Sequence, residues 1–369
     1  MSNEDLEVAC LTVRLGALAA NYREIRRLAG AASVCGVVKA DAYGLGMGPV
    51  AKRLAAEGCD TFFVARVGEG VALRPLVPQA RIFVLDGASA DAVPALLGHR
   101  LTPVLNSLAE IAAWSAAARE MDTTLDAAIQ IDTGMNRLGL PAYELAALSA
   151  EAKERLRALR VVLVMSHLAC ADDPASAMNA MQRDRFRTAL AMLPPAPASL
   201  SSSGGVLLGK DYAFDMVRPG VGLYGGNPWQ SGANPFAAVA RLTGRVLQLR
   251  RVDSGETVGY GATHRIERPG MLATIALGYA DGVMRALGNR GAASLGGVRA
   301  PFAGRVSMDL ITLDVTDVPP RAREAGAEAE LFGDVISLDE IARGAGTAHY
   351  EILTRIGPRV PRRYVEAAR

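Results

Sequence analysis

Residues 33–46, SVCGVVKADAYGLG, decide how the rest of the chain is interpreted. The apolar run over residues 33–38 predicts a buried strand, and Lys39 stands at its end. In parallel α/β proteins, residues at the carboxyl ends of the strands face the functional site, whereas those at the opposite ends serve stability. Lys39 is therefore a candidate for covalent chemistry, and the alternative is an ordinary surface lysine beyond a strand.

Seven further apolar runs follow, with helical stretches between them. Together with residues 33–38 they make eight strands alternating with helices, which predicts a (β/α)₈ TIM barrel ending near Pro228. A short strand is also predicted ahead of the barrel, over residues 7–13. The seven runs are residues 61–65, 81–85, 101–105, 125–131, 161–166, 198–201 and 216–224.

The chain changes character after residue 227. Its apolar runs become short and are separated by glycines, and few helical periods occur before Ser337. This pattern predicts a second, smaller and mostly β domain. Residues 227–235, NPWQSGANP, have the Pro, Gly and Asn content of a linker. We therefore predict a barrel domain over residues 14–234 and a β domain over residues 235–369.

Composition excludes several classes of partner. Half of the 369 residues are hydrophobic, and the net charge of +2 provides no electrostatic footprint for nucleic acid or an anionic membrane. The first ten residues contain acidic side chains and no apolar core, and no later run approaches the length of a membrane span. We expect a cytoplasmic protein. The four cysteines are scattered, so we expect neither a metal site nor a disulfide framework.

Small and hydroxylated residues follow the last two predicted barrel strands. SSSGG occupies residues 201–205 and RPGVG occupies residues 218–222. Loops after the seventh and eighth strands of such barrels commonly bind phosphate through backbone N–H groups and hydroxyls. Combined with Lys39, they suggest pyridoxal 5′-phosphate, a phosphorylated cofactor that forms a Schiff base. A dinucleotide fingerprint at residues 44–48 is disfavoured, because its third glycine comes one residue too early.

Eight short motifs are spread over nearly the whole chain: VVKADAYGLG at 37–46, IDTGMNRLG at 131–139, SHL at 166–168, RPGVGLYG at 218–225, GYGATHR at 259–265, GYADG at 278–282, GRVSMDL at 304–310 and YEILTRIGPRVPRRY at 350–364. In this order they resemble the pyridoxal-phosphate alanine racemases, of fold type III. The resemblance implies a barrel, a β domain that also takes up the N-terminal strand (residues 1–13), and a head-to-tail homodimer with shared active sites.

The resemblance also implies roles for residues around the cofactor. Lys39 would form the Schiff base, and Arg218 would face the pyridine nitrogen. His167 would pack through its ring and bond to Arg218. The residues that would contact the phosphate are Tyr43, Ser203, Gly220, Val221 and Tyr350.

Other residues would act on the substrate, which the resemblance implies is alanine. Tyr260 would be the second catalytic base, contributed by the other subunit. Arg137 and the backbone of Met308 would bind the substrate carboxylate, and Tyr279 with Tyr350 would form the gate. The product D-alanine would supply peptidoglycan, or the enzyme would serve alanine catabolism.

Physical chemistry supports two bases independently. Racemisation removes the α-proton from one face of the substrate and returns a proton to the other. Lys39 can serve one face, and Tyr260 can serve the other if its pKa falls well below about 10. We expect His167, in contact with a permanent cation, to favour the phenolate, because nearby positive charge stabilises the charged form.

Arg218 distinguishes a racemase from other pyridoxal enzymes. Enzymes that rely on a fully developed carbanion usually place a carboxylate at the pyridine nitrogen, which keeps that nitrogen protonated. A guanidinium is always charged and leaves the nitrogen unprotonated, so side transamination and decarboxylation should be suppressed. The alternative for Arg218 is a structural salt bridge.

One position departs from the family pattern. Many members have a lysine immediately before the IDTGM stretch, where it can be carbamylated and orient the substrate-binding arginine, whereas this chain has Gln130. Arg137 must then be oriented by Gln130 itself, by another residue or by a bound anion such as chloride.

Two other functions are considered. A fold type III decarboxylase of basic amino acids is disfavoured. Arg218 stands at the position where the resemblance to that class would require an acidic residue. A non-catalytic pyridoxal-phosphate carrier resembles the barrel alone, and the β domain bearing Tyr260 argues against it.

Overall fold

A computed structural model describes residues 7–229 and 232–367. The predicted linker therefore includes two residues, 230 and 231, that lie outside the described part, as do the ends of the predicted β domain at residues 1–6 and 368–369. The strands are β1 Ala9–Arg14, β2 Ser33–Val34, β3 Gly36–Val37, β4 Thr61–Val64, β5 Arg81–Val84, β6 Thr102–Leu105, β7 Leu125–Gln130, β8 Leu159–Met165, β9 Ala198–Ser199, β10 Met216–Val217, β11 Ala240–Val252, β12 Thr257–Val258, β13 His264–Arg265, β14 Gly270–Ile275, β15 Ala292–Leu295, β16 Val298–Pro301, β17 Ile311–Asp314, β18 Glu328–Phe332 and β19 Arg362–Val365.

The helices lie mainly between the barrel strands, and α2 is a left-handed turn that is treated below. They are α1 Leu15–Ala29, α2 Lys39–Tyr43, α3 Met47–Ala56, α4 Val67–Leu73, α5 Val93–Gly98, α6 Leu108–Glu120, α7 Ala142–Ala150, α8 Ala152–Arg155, α9 Ala177–Leu190, α10 Ser203–Leu207, α11 Leu338–Ala345 and α12 His349–Thr354. Within the described residues, no helix combines the length and apolar character that crossing a membrane requires.

Residues 15–229 form a parallel barrel. Strands β3 to β9 make a seven-stranded parallel sheet in sequence order, and β2 pairs in parallel with β10. The gap between β9 and β10 is bridged by backbone hydrogen bonds from Asp215 N to Ala198 O, 3.0 Å, and from Arg218 N to Ser201 O, 2.8 Å. The sheet thus closes on itself, which confirms the predicted (β/α)₈ architecture.

The eighth predicted strand, residues 216–224, is wrong beyond Val217. Pro219 has no amide hydrogen to donate to a sheet. The amides of Gly220 and Gly222 instead donate to the hydroxyl of Ser203, each at 3.0 Å. The segment after β10 therefore leaves the barrel wall and becomes part of a loop at the carboxyl ends of the strands.

The second sheet confirms the predicted β domain. Its strands follow the order β16-β15-β18-β11-β1-β19, and β14 joins β11 to β17. The long strand β11 pairs antiparallel with β1, while β19 pairs with β1 in parallel. The N-terminal strand thus belongs to this sheet, because both of its neighbours come from the part of the chain that follows the barrel.

The first helix shows how the apolar pattern builds the barrel. In α1, Leu18, Tyr22 and Ile25 are spaced three or four residues apart and are nearly fully buried. Burying such a side chain stabilises the fold by about 1.5–3 kcal/mol. The helix ends at Gly30, whose φ of 66° favours glycine.

A strained turn follows the first barrel strand. Lys39 opens α2, and the next four residues all have positive φ: Ala40 52°, Asp41 53°, Ala42 53° and Tyr43 58°. Each non-glycine residue in this left-handed conformation costs about 1–2 kcal/mol. Such strain persists only where surrounding contacts hold it, and here it lies immediately beside the candidate lysine.

We expect Ala40→Gly to stabilise the protein. Ala40 is exposed and has a φ of 52°, which glycine adopts without the steric penalty of a Cβ. The free energy of unfolding should rise by about 1 kcal/mol, measured as a higher midpoint in thermal or urea unfolding. Ala55→Gly in the right-handed helix α3 is the control and should destabilise by about 1 kcal/mol. A midpoint for Ala40→Gly at or below that of the wild type would contradict the strain.

Candidate active site

A cavity of about 550 Å³ opens at the carboxyl ends of the barrel strands. It brings together residues that lie as much as 317 positions apart in sequence, from Val37 to Thr354. Barrel geometry explains this, because the loops after all eight strands meet at one end. Nine of the predicted site residues line the cavity: Lys39, Tyr43, Arg137, His167, Ser203, Arg218, Gly220, Val221 and Tyr350.

The surroundings of Lys39 favour its neutral amine form. Burial lowers its pKa from the ordinary 10.5, and the nearby Arg137 lowers it further. The carboxylates of Glu69 and Asp86 act in the opposite direction, and Arg218 adds to the lowering. A lysine with a lowered pKa presents more of the unprotonated amine, which is the form that acts as a nucleophile or a base.

Arg218 is fixed by three contacts within the barrel. It is only 5% exposed, and it donates to the Ser199 hydroxyl at 2.5 Å and to the Ser166 carbonyl at 2.6 Å. A third contact joins Arg218 to Nδ1 of His167 at 3.3 Å, so the expected pairing of these two residues is present. Because guanidinium can only donate, Nδ1 accepts and the ring proton resides on Nε2.

His167 is neutral rather than cationic. Burial lowers its pKa from 6.5 to about 3, and Arg218, Arg137 and Lys39 act in the same direction. His167 therefore contributes no positive charge of its own that could favour a phenolate. Arg218 carries the charge, and although burial lowers its pKa to about 10, it stays protonated at neutral pH.

The depressed pKa of His167 predicts a pH-dependent stability. Between pH about 3 and 6.5 the unfolded chain protonates this ring and the native protein does not, so acid favours unfolding. The free energy of unfolding should fall by up to about 1.4 kcal/mol per pH unit through that window as pH drops. We expect His167→Gln to remove this component, and His264→Gln on β13 to keep it. Parallel pH dependences for the wild type and His167→Gln would contradict the assignment.

The loops after β9 and β10 form a cluster of donors. Ser203 begins α10, and its hydroxyl receives the amides of Gly220 and Gly222. A Cβ on Gly220 would collide with the hydroxyl of Tyr43, so only glycine fits between these groups. First-turn N–H groups of a helix have no acceptor within the helix. The hydroxyls of Tyr43 and Ser203 and the start of α10 come together here, an arrangement that suits an anionic group such as a phosphate.

The loop after β7 presents Arg137 to the same cavity. One Asp132 oxygen accepts the amides of three successive residues, 134–136, at 2.9–3.1 Å, which folds the loop back over the strand end. The amide of Gln130 donates to the Leu138 carbonyl at 3.2 Å, directly beside Arg137. Gln130 therefore acts on the backbone that carries Arg137, which is one of the alternatives left open by the sequence.

Three predicted site residues do not line the cavity. Tyr260 is 71% exposed, Met308 54% and Tyr279 40%, and all three belong to the β domain. Tyr279 and Met308 are held next to each other, because Ala280 N donates to the Met308 carbonyl at 2.9 Å. These large side chains are presented to the outside of the molecule, away from the lysine of the same chain.

Sequence reasoning missed part of the site. Asp86 lines the lysine cavity from the loop after β5, and its position two residues beyond the strand could have indicated this. A second cavity of about 930 Å³ adjoins the first, and His167 and Tyr350 line both. It extends between barrel loops and helix α11, past Trp229 and His349. No sequence motif marks Trp229 or His349, because the residues that line this second cavity meet only after the two domains have folded.

Metal-binding residues do not cluster in the part of the chain that the structure describes. No group of three or more His, Cys, Asp or Glu side chains there could hold an ion. The four cysteines are free thiols, and burial raises the pKa of Cys35 and Cys59.

The fold and the cavity define a class, the barrel enzymes that use a lysine of lowered pKa after the first strand. Comparison with known proteins then gives the family. A model of the alanine racemase N-terminal domain matches residues 13–228, and a model of the alanine racemase C-terminal domain matches residues 239–364. The chain belongs to the alanine racemase family, which confirms the resemblance in its motifs.

Individual relatives cover the chain almost completely. An alanine racemase of Rhodospirillum rubrum is 48% identical over 99% of this chain and 98% of its own length. A catabolic alanine racemase of Agrobacterium fabrum is 48% identical over 96% of this chain and 92% of its own. The crystal structure of alanine racemase from Bartonella henselae with covalently bound pyridoxal phosphate has a TM-score of 0.93 and 36% identity, covering 97% of this chain and 100% of that one.

Proposed function

We propose that this protein interconverts L-alanine and D-alanine with pyridoxal 5′-phosphate bound at Lys39. The observation that carries the proposal is the single cavity that joins a lysine of lowered pKa to Arg137 and to the polar loops after β9 and β10. The names of the full-length relatives support the same reaction, and the Bartonella henselae enzyme carries its pyridoxal phosphate covalently.

The cavity fits the cofactor. Gly220 leaves room beside the Tyr43 hydroxyl that a Cβ would occupy, and Ser203 sits at the start of α10. When bound, pyridoxal phosphate withdraws electrons from the amino-acid Cα and so makes its proton acidic. Arg218, held by the barrel, would face the ring nitrogen. The residues that we propose for the phosphate are Tyr43, Ser203, Gly220, Val221 and Tyr350.

We assign the two proton-transfer roles to Lys39 and Tyr260. The lowered pKa of Lys39 lets its amine accept a proton near neutral pH. Tyr260 would stand on the opposite face of the substrate. Since Tyr260 lies outside the cavity of its own chain and is 71% exposed, a second copy would have to supply it.

A homodimer with shared active sites accounts for the exposed side chains of the β domain. Met308 and Tyr279 would reach the partner's cavity together with Tyr260, because all three are presented outward by the same domain. Met308 would contact the substrate carboxylate through its backbone, and Tyr279 with Tyr350 would narrow the entrance. The cytoplasmic location and the domain boundaries at residues 14–234 and 235–369 stay predictions.

Arg137 is proposed to pair with the substrate carboxylate. It projects from the loop that Asp132 folds and that Gln130 holds at the Leu138 carbonyl. A bidentate pair between guanidinium and carboxylate fixes orientation as well as affinity, so the Cα–H would be held between the two bases.

Proton exchange at Cα tests the function. The purified protein, loaded with pyridoxal phosphate, is incubated with L-alanine in D₂O while NMR follows the Cα–H, and optical rotation and pyruvate are followed in parallel. We expect exchange with loss of rotation and negligible pyruvate. A bound chromophore with no exchange would point to the carrier, and release of carbon dioxide from basic amino acids would point to the decarboxylase.

A further inference from the structure

Glu69 makes three backbone contacts beside the candidate lysine. One carboxylate oxygen accepts the amide of Ala40 at 2.6 Å. The other accepts the amides of Ala65 and Arg66 at 2.8 and 3.1 Å, at the start of α4. Glu69 thereby connects the loops that follow two neighbouring barrel strands, and Ala40 is the residue immediately after Lys39.

The same construction recurs twice around the barrel. Glu69, Glu110 and Glu144 are each the third residue of their helices, α4, α6 and α7. Glu110 accepts the amide of Asn106 at 2.7 Å and a backbone hydrogen bond from Ala88 in the preceding loop. Glu144 accepts the amide of Leu108, the first residue of the preceding helix α6, at 2.8 Å. Carboxylates in the first helical turn thus connect adjacent loops at the end of the barrel that holds the cavity.

Glu69 differs from the other two in what it holds. Its bond to Ala40 ends in the left-handed turn, where positive φ values of 52–58° continue through Tyr43. Strain of this kind requires contacts that prevent relaxation. A charge-assisted bond to the first strained amide is such a contact. Neither Glu110 nor Glu144 bonds to this turn.

The negative charge of Glu69 also acts on the pKa of Lys39. The charged groups that act on the lysine are the cations Arg137 and Arg218 and the carboxylates Glu69 and Asp86. Glu69 belongs to helix α4, and the other three follow barrel strands β7, β10 and β5. Glu69 has the larger of the two carboxylate effects, and both keep the pKa of the lysine from falling further.

We propose that Glu69 is a positioning residue for the reaction: it holds the left-handed turn that aims Lys39 into the cavity, and its charge balances the cations there. The inference rests on the proposed function, since it gives Lys39 the catalytic role. Nothing in the geometry requires Glu69 to touch the substrate or the cofactor.

The test compares Glu69→Gln with Glu110→Gln in the protein loaded with pyridoxal phosphate. Both changes remove one loop-connecting carboxylate from a third helical position, but only the first removes it from the turn at Lys39. For Glu69→Gln we expect kcat to fall about 10- to 100-fold with KM for alanine changed by less than about threefold. The pH at which the visible absorbance of the lysine-bound cofactor titrates should move lower, because a charge that favours the protonated nitrogen is gone.

Glu110→Gln should lower the unfolding midpoint without moving that titration, and its kcat should stay within about threefold of the wild type. Glu69→Asp keeps the negative charge on a side chain that is one methylene shorter. Its cofactor titration should therefore lie closer to that of the wild type than its kcat does. Should Glu69→Gln not fold, Glu69→Asp takes its place in the comparison. An unshifted titration with wild-type kcat in Glu69→Gln, or equal losses in both glutamine variants, would overturn the proposal. Absence of racemisation by the wild type would refute the proposed function instead, and the titration would still test Glu69.

Discussion

Tyr260→Phe is expected to lower kcat for alanine racemisation by about 10²–10⁴-fold, the range that a positioned acid–base group contributes. The change removes one hydroxyl from a side chain that is 71% exposed and outside the cavity of its own chain, so folding should be unaffected. The visible absorbance of the bound cofactor should also persist, because Tyr260 does not hold it.

Isotope exchange makes this prediction more specific. With Tyr260 gone, Lys39 still faces one side of the substrate, so one enantiomer of alanine should exchange its Cα–H in D₂O with retention of configuration. The other enantiomer should not exchange. Tyr143→Phe is the matched control, because Tyr143 is 74% exposed on the outer helix α7, and it should behave as the wild type. Wild-type kcat in Tyr260→Phe would remove this residue from the mechanism.

Lys39→Ala is expected to have the larger effect, a loss of at least about 10⁴-fold in kcat. In the proposed mechanism it removes the covalent anchor of the cofactor and one of the two bases at once. The cofactor should then dialyse away from the protein, and without it neither enantiomer of alanine should exchange its Cα–H.

Lys52→Ala controls for loss of a lysine in the same region. Lys52 is exposed on α3, the helix that follows the left-handed turn, and it does not line the cavity. It should retain both the cofactor and the activity. Retention of the cofactor by Lys39→Ala through dialysis, with its visible spectrum unchanged, would contradict the assignment of the anchor.

The predictable part of the fold is the part in which local pattern and burial agree. Seven apolar runs of four to seven residues located barrel strands to within a few positions, and the short, glycine-separated runs after residue 227 indicated the β domain. The failure at residues 216–224 has a local cause. That run is apolar enough for a strand, but Pro219 lacks a sheet donor and the glycine amides bond to Ser203.

Sequence motifs indicated which residues to expect at the site. They did not indicate the backbone conformation, the burial or the side-chain contacts of those residues. The sequence placed Lys39 at the end of a strand. It did not predict the positive φ angles of residues 40–43, because alanine and tyrosine disfavour that conformation. The neutrality of His167 likewise depends on burial beside Arg218, which only the folded barrel provides. Side-chain contacts between residues far apart in sequence, such as that of Glu69 with Ala40, produce no periodic pattern in the sequence.

Subunit complementation between Lys39→Ala and Tyr260→Phe is the most direct test of an active site shared by two copies. If each site takes Lys39 from one chain and Tyr260 from the other, a hybrid dimer contains one doubly altered site and one intact site. Random reassortment of equal amounts makes half of the dimers hybrids, so we predict recovery of about a quarter of the wild-type activity from two nearly inactive proteins. Activity no greater than that of the two variants measured separately, in a mixture proven to contain hybrids, would contradict the shared site.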